Sequence, residues 1–168
     1  TIFITHTHGD HVFGFPFFLL ERRYISDREM QKPLTVVASE GVKEHLFHLC
    51  ELAYPGSLKE IFATIKWRCE IEGSLPSGLS WKRFRVQHEE SVDPYGYHFN
   101  AHQKYSFVHS GDSGPCETLH EEILSSGMAI LEMGLPEWVN SPYHHKPSDV
   151  ESLAKKAENI PLIITHTF

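Results

Sequence analysis

The sequence predicts an α/β fold in which helices cover mixed β-sheets, and three observations carry that prediction. β-Branched and aromatic runs alternate with segments of helical period; hairpin-like pairs of runs interrupt them in mid-chain; and a strand-like run stands near each end, Thr1 to Thr5 and Pro161 to Thr165.

Each element has a local cause. Thr1 to Thr5 is β-branched and aromatic without polar alternation, as a strand covered on both faces would be. Phe13 to Arg23 reads as a helix, with Gly14 and Pro16 in its first turns, where Pro is tolerated because those N–H groups have no intrahelical partner. Leu34 to Ala38 is a second short strand. Ser39 can cap a helix with Val42, Leu46, Leu49 and Ala53 at the 3.6 period, ended by Pro55 and Gly56. Ile65 to Ile71 and Trp81 to His88 read as strands around a turn-rich stretch from Gly73 to Gly78, with Phe84, Val86 and His88 on one face. Tyr95 to Asn100 and Tyr105 to Ser110 form a hairpin around Asn100 to Lys104, followed by a Gly111 to Pro115 loop. Glu117 to Ser125 is a short helix and Met128 to Met133 a strand. Ser148 to Glu151 has the form of a capping box opening a helix to Glu158, and Pro161 to Thr165 is the last strand.

Composition narrows the function classes. The 168 residues are 40% hydrophobic and 22% charged, enough for one sizeable core, and a single domain over 1–168 is the default expectation. A formal charge of −7 argues against a surface that coats duplex nucleic acid. Cys50, Cys69 and Cys116 are an odd, widely spaced set without a CxxC pair, which favours a reducing compartment, the cytoplasm, over a disulfide framework. No apolar run reaches the length of a membrane span, Val12 to Leu20 being broken by Gly14 and Pro16. Because the first residue is Thr and a strand is already under way there, the natural start of the chain is expected to be absent.

Histidine is the unusual residue, 13 in all, and part of that number is concentrated in His6-Thr7-His8-Gly9-Asp10-His11. On an extended segment His6 and His8 point to the same side and can share one metal ion, while Asp10 and His11, at the start of a helix, turn toward a second. Imidazole and carboxylate together suit Zn²⁺, or the harder Mn²⁺, and Gly9 permits a tight backbone between the pairs.

This motif resembles the HxHxDH signature of the metallo-β-lactamase superfamily. Val86-Gln87-His88 followed by Tyr95-Gly96-Tyr97 is similar to the pattern of its ribonuclease Z and cyclic-phosphodiester branch, Ser110-Gly111-Asp112-Ser113 to its S-G-D-T/S loop, and Leu162 to His166 to its closing strand and histidine. The resemblance implies an αββα sandwich, here lacking its N-terminal strands and the segment that usually follows the last histidine, with an exposed apolar edge. It also implies two divalent metal ions, Zn²⁺ before Mn²⁺: one held by His6, His8 and His88, the other by Asp10, His11 and His166, with Asp112 and a hydroxide bridging them. Two such ions facing two carboxylates and a hydroxide leave a net positive site, suited to an anionic ester or phosphodiester. Asp10 would also help orient the hydroxide.

Three further residues enter through the same branch. His144, in His144-His145-Lys146-Pro147, matches a catalytic histidine that serves the leaving oxygen, with His145 the competitor one position away. Glu132, at the end of its strand, either orients His144 or is simply solvated. The remaining histidines, His45, His48, His98, His102, His109 and His120, lack partner spacing. The pairs Arg22-Arg23, Lys82-Arg83 and Lys155-Lys156 read as solvated faces, and Phe13, Phe15, Phe17 and Phe18 as core.

The expected activity is therefore metal-dependent hydrolysis of a phosphodiester. The alternatives are a thioester or lactone hydrolase of the same fold and a non-enzymatic metal-holding domain. His8 is not the glutamate of the di-iron oxidoreductases, and Asp112 is not replaced by the cysteine of true β-lactamases. The stretch from His88 to Asp112 is too short for the tRNA-clamping arm of many ribonuclease Z enzymes, so a small phosphodiester is as well supported as an RNA 3′ end. No membrane partner is expected, and a homodimer is the assembly considered.

Overall fold

The computed structural model describes residues 1–102 and 104–167, which form two compact units, one over Thr1–Glu70 and one from Ile71 onward. Each has its own sheet and its own apolar core.

In the first unit β1 (Ile2–Phe3), β2 (Thr35–Val37) and β3 (Lys66–Arg68) pair in parallel, in that order. Parallel neighbours need crossovers, and helices supply them. Between β1 and β2 lie α1 (Gly9–Val12), α2 (Phe15–Glu21) and a π-turn over Arg22–Ser26; between β2 and β3 lie α3 (Glu40–Ala53) and α4 (Lys59–Ala63). Ser39 caps α3 as its sequence predicts, its hydroxyl accepting the Val42 N–H at 3.1 Å. Val42, Leu46 and Cys50 of α3 join Leu19 of α2, Ile61 of α4 and Val36 of β2 in the core. Burial pushes the Cys50 thiol up to about 11, so it is an inert core group at neutral pH.

In the second unit six strands run in sequential order: β4 (Glu72–Ser74), β5 (Leu79–Arg85), β6 (Tyr95–Ala101), β7 (Tyr105–His109), β8 (Ala129–Glu132) and β9 (Leu162–Thr165). The first four are antiparallel neighbours. β7, β8 and β9 are parallel, with α5 (Glu117–Leu124) and α6 (Pro147–Lys156) as crossovers. Phe84, Val108, Leu119, Ile123, Leu131 and Leu153 form the core. The parallel strands all end on one side, so Glu132 at the end of β8 and the segments after β7 and β9, carrying Asp112 and His166, come together there. β9 is an edge strand with Ile163 and Ile164 exposed.

Several sequence expectations are corrected. Ile65 to Ile71 is not one strand: β3 ends at Arg68, and β4 opens the other sheet within the stretch read as turns. Helix α4 carries no strong cap or long apolar period and was not anticipated. β5 ends at Arg85, so His88 lies beyond the strand, next to an isolated bridge between Gln87 and Gly114. Helix α6 opens at Pro147 rather than at Ser148; the Lys146 N–H donates to Asp149 Oδ2 at 3.2 Å, and Ser148 is engaged by Glu137 instead. Gly9 has no left-handed conformation; its missing side chain makes room for the Phe13 ring. Phe15 is buried, but Phe13 and Phe17 are exposed rather than core. Gln103, in the predicted turn between β6 and β7, lies outside the described residues.

Candidate metal centre and catalytic residues

The opening motif leaves β1 and enters α1, with His8 at the N-cap in an extended conformation. Its imidazoles are gathered in one place: the ring of His6 lies 5.0 Å from that of His8 and 4.1 Å from that of His11. Thr5 Oγ1 is 3.0 Å from His6 Nδ1, and His11 Nε2 is 3.3 Å from Asp10 Oδ2. His6 is fully buried, whereas Asp10 is exposed. His6, His8, Asp10 and His11 thus place nitrogen and oxygen donors of the kind that bind a divalent metal in one short run.

The second unit gathers donors of its own. Asp112, buried in the loop after β7, has Oδ2 3.4 Å from Nε2 of His166, the residue after β9. Asp112, His144 and His166 each offer a ligand atom, all within 4.8 Å of one another. The His144 ring stacks on His166 at 5.8 Å and meets His88 edge-on at 4.9 Å. His88 is held from behind, its Nδ1 lying 2.8 Å from the carbonyl oxygen of Tyr143. A clustered carboxylate and imidazoles are the donor set a divalent cation takes, so these residues fit one.

Glu132 is buried, not solvated. It receives the backbone N–H of Ser113 (3.2 Å) and of His145 (2.9 Å) on Oε1 and that of Gly134 (2.5 Å) on Oε2, and His144 Nδ1 lies 3.4 Å from Oε1. Burial pushes this carboxyl up, but the His144 and His145 imidazoles and the His145 amide outweigh it and hold it down at about 2. It is thus an anion that ties together the loops carrying Asp112 and His144. The two adjacent histidines are also separated. His145 is fully buried, with Nδ1 2.6 Å from the Ser113 carbonyl oxygen, while His144 is half-buried among the other imidazoles. Of the histidines without partner spacing, His98 pairs with Glu122 at 2.7 Å and His120 lies 6.2 Å from His145, ring to ring. Neither pairing could be read from the sequence, because β6, α5 and the loop before α6 bring those residues together only in the fold.

The model of the β-lactamase superfamily domain matches residues 1–167. A ribonuclease Z of Staphylococcus aureus (strain JH9) is 49% identical over a match that spans 98% of this chain and 69% of the relative. The chain belongs to the metallo-β-lactamase superfamily, in its ribonuclease Z branch. Solved metallo-β-lactamase-fold structures agree on the fold. The protein YhfI of Bacillus subtilis superposes with a TM-score of 0.73 at 14% identity, covering 98% of this chain and 63% of that one. A long-form ribonuclease Z from yeast gives 0.73 at 18%, covering 100% of this chain and 28% of that one. Against other ribonuclease Z relatives the match spans about a third of their length. The S. aureus match extends over 215 residues against the 168 of this chain, so that relative has residues in the aligned region that this superfamily member lacks. The metallo-β-lactamase fold implies divalent metal binding, and the histidine–aspartate clusters suit it.

Proposed function

We propose that this chain is the hydrolytic part of a phosphodiesterase that works with two divalent metal ions, Zn²⁺ in the first place and Mn²⁺ in the second. His6, His8 and His88 would hold one ion, Asp10, His11 and His166 the other, and Asp112 both. When bound, the ions would supply a water acidified to act near neutral pH and take up charge developing on the phosphoryl oxygens. The chain's own residues do the rest. Asp10 orients the attacking water. His144 passes a proton to the leaving oxygen, and Glu132, at its Nδ1, fixes the ring.

The observation that carries this reading is the grouping of Asp112, His144 and His166 against a buried, ionised Glu132. The substrate is a small phosphodiester or an RNA 3′ end. Among the described residues the stretch from His88 to Asp112 is spent on a short 3₁₀ turn, β6 and β7, which supports the smaller substrate. Cys50, Cys69 and Cys116 are thiols rather than disulfides, which supports a reducing, cytoplasmic location, and among the described residues no helix is long and apolar enough to cross a membrane.

Hydrolysis of bis-p-nitrophenyl phosphate, compared with that of a thioester and a lactone, tests the reading. The metal-loaded chain should cleave the phosphodiester, and His144→Ala should keep its metal while losing at least about a hundredfold in rate. Thioester or lactone cleavage without phosphodiester cleavage would overturn it. Metal content with no hydrolysis of any of the three would leave a metal-holding domain.

A further inference from the structure

The segment from Gly134 to Tyr143 leaves the candidate catalytic residues and returns to them. At its start, a Cβ on Gly134 would lie 2.8 Å from His144 Nδ1 and 3.1 Å from His166 Nδ1, so this backbone is pressed against both imidazoles. At its end stands His144 itself, and the Leu135 N–H donates to the His145 carbonyl oxygen at 3.3 Å, closing the neck. It is a compact loop of the Ω kind. Glu137 is tied to α6 by the Ser148 N–H (2.9 Å) and hydroxyl (2.8 Å), and Val139 N–H closes a turn onto the Pro136 carbonyl at 3.0 Å.

Between those two anchors sits Trp138, 83% exposed, with Tyr143 at the other end of the loop 41% exposed. Leaving an indole in water forfeits the burial that stabilises most tryptophans, and hydrogen bonds order the loop without it. The other tryptophans are less exposed, Trp81 almost completely buried. Four residues of extended chain bound the distance from Gly134 to Trp138 at about 14 Å. A base attached to, or next to, a phosphodiester at the loop's neck falls within that reach.

We infer that Trp138 is the stacking surface for a nucleobase of the substrate. A flat π-face accepts any base, so the site gives affinity without sequence preference. This rests on the phosphodiesterase reading above, and the test separates the two.

Adenosine 5′-monophosphate and ribose 5-phosphate share a phosphate and differ by the base. Titrated into the metal-loaded chain, the nucleotide should quench tryptophan emission and bind roughly tenfold more tightly than the sugar phosphate. Trp138→Ala should abolish that difference and Trp138→Phe should keep most of it. Equal affinity for the two ligands, or a preference that survives Trp138→Ala, overturns the proposal even if hydrolysis is intact. A Trp138-dependent preference in a chain with no phosphodiesterase activity would instead retain the base site and overturn the hydrolytic reading.

Discussion

Glu132 shows what a single residue contributes. A carboxylate with almost no solvent contact, held at about 2 against an ordinary 4.5, is stabilised as an anion by folding. Its folded value lies below its unfolded one, so its contribution is complete above about 4.5 and fades as the pH falls toward 2. The shift corresponds to roughly 3 kcal/mol at neutral pH. Glu132→Gln keeps the shape but not the charge, and should lower unfolding free energy by about that amount at pH 7. Urea denaturation of both proteins from pH 7 down to about pH 3.5 checks it: the gap should narrow below pH 4.5. A gap that does not change with pH would show that the charge is not what matters. At this scale the sequence carried much. Spacing and motif picked out the candidate donors His6, His8, His88, Asp112 and His166, since each stands in a run with its own pattern. The choice between His144 and His145 could not be read there, because adjacent identical residues differ only in what they pack against, and the Ser113 carbonyl that engages His145 arrives from another loop.

At the scale of elements, what positions these side chains is a set of close backbone approaches. Gly114 donates its N–H to the Gln87 carbonyl at 2.7 Å, and a side chain there would collide with the Pro142 carbonyl. Pro142 precedes Tyr143, whose carbonyl holds His88. Gly114→Ala must therefore push the segment that fixes His88, at a cost of roughly 1–3 kcal/mol by analogy with overpacked cores. Chemical denaturation should show that loss, accompanied by slower hydrolysis. A variant as stable as the parent would mean that Pro142 yields freely. Elements with a local signal were legible, such as α3 with its serine cap and 3.6 period and the β6–β7 hairpin. The break between β3 and β4 was not. Its cause is pairing, Thr35 to Val37 drawing one strand and Ser80 to Lys82 the next, and pairing partners distant in sequence leave no mark on the run itself. The cap of α6 failed for a similar reason, since Ser148 was drawn away by Glu137 from the preceding loop.

For the whole molecule, the parallel ends of β7, β8 and β9 explain why Asp112, Glu132 and His166, far apart in sequence, stand together. The α/β class followed from the alternation of patterns, while this convergence needed the strand order. A metal held by such residues binds the folded chain and must stabilise it by mass action. At a free concentration about a hundred times the dissociation constant the gain is about 2.7 kcal/mol, or roughly 5 to 11 °C in Tm for a chain of this size. Thirteen histidines make stray binding a competing cause, and metal taken up by the unfolded chain works against the gain. Two variants separate these effects. His166→Gln removes a proposed ligand next to Asp112, and His48→Gln removes a histidine of α3 for which no metal role is proposed. Thermal unfolding with and without Zn²⁺, alongside metal analysis, should give a Tm rise and about two equivalents in the parent and in His48→Gln. Both should be reduced in His166→Gln. An equal rise in all three would assign the stabilisation to scattered histidines and remove the metal centre from the proposal.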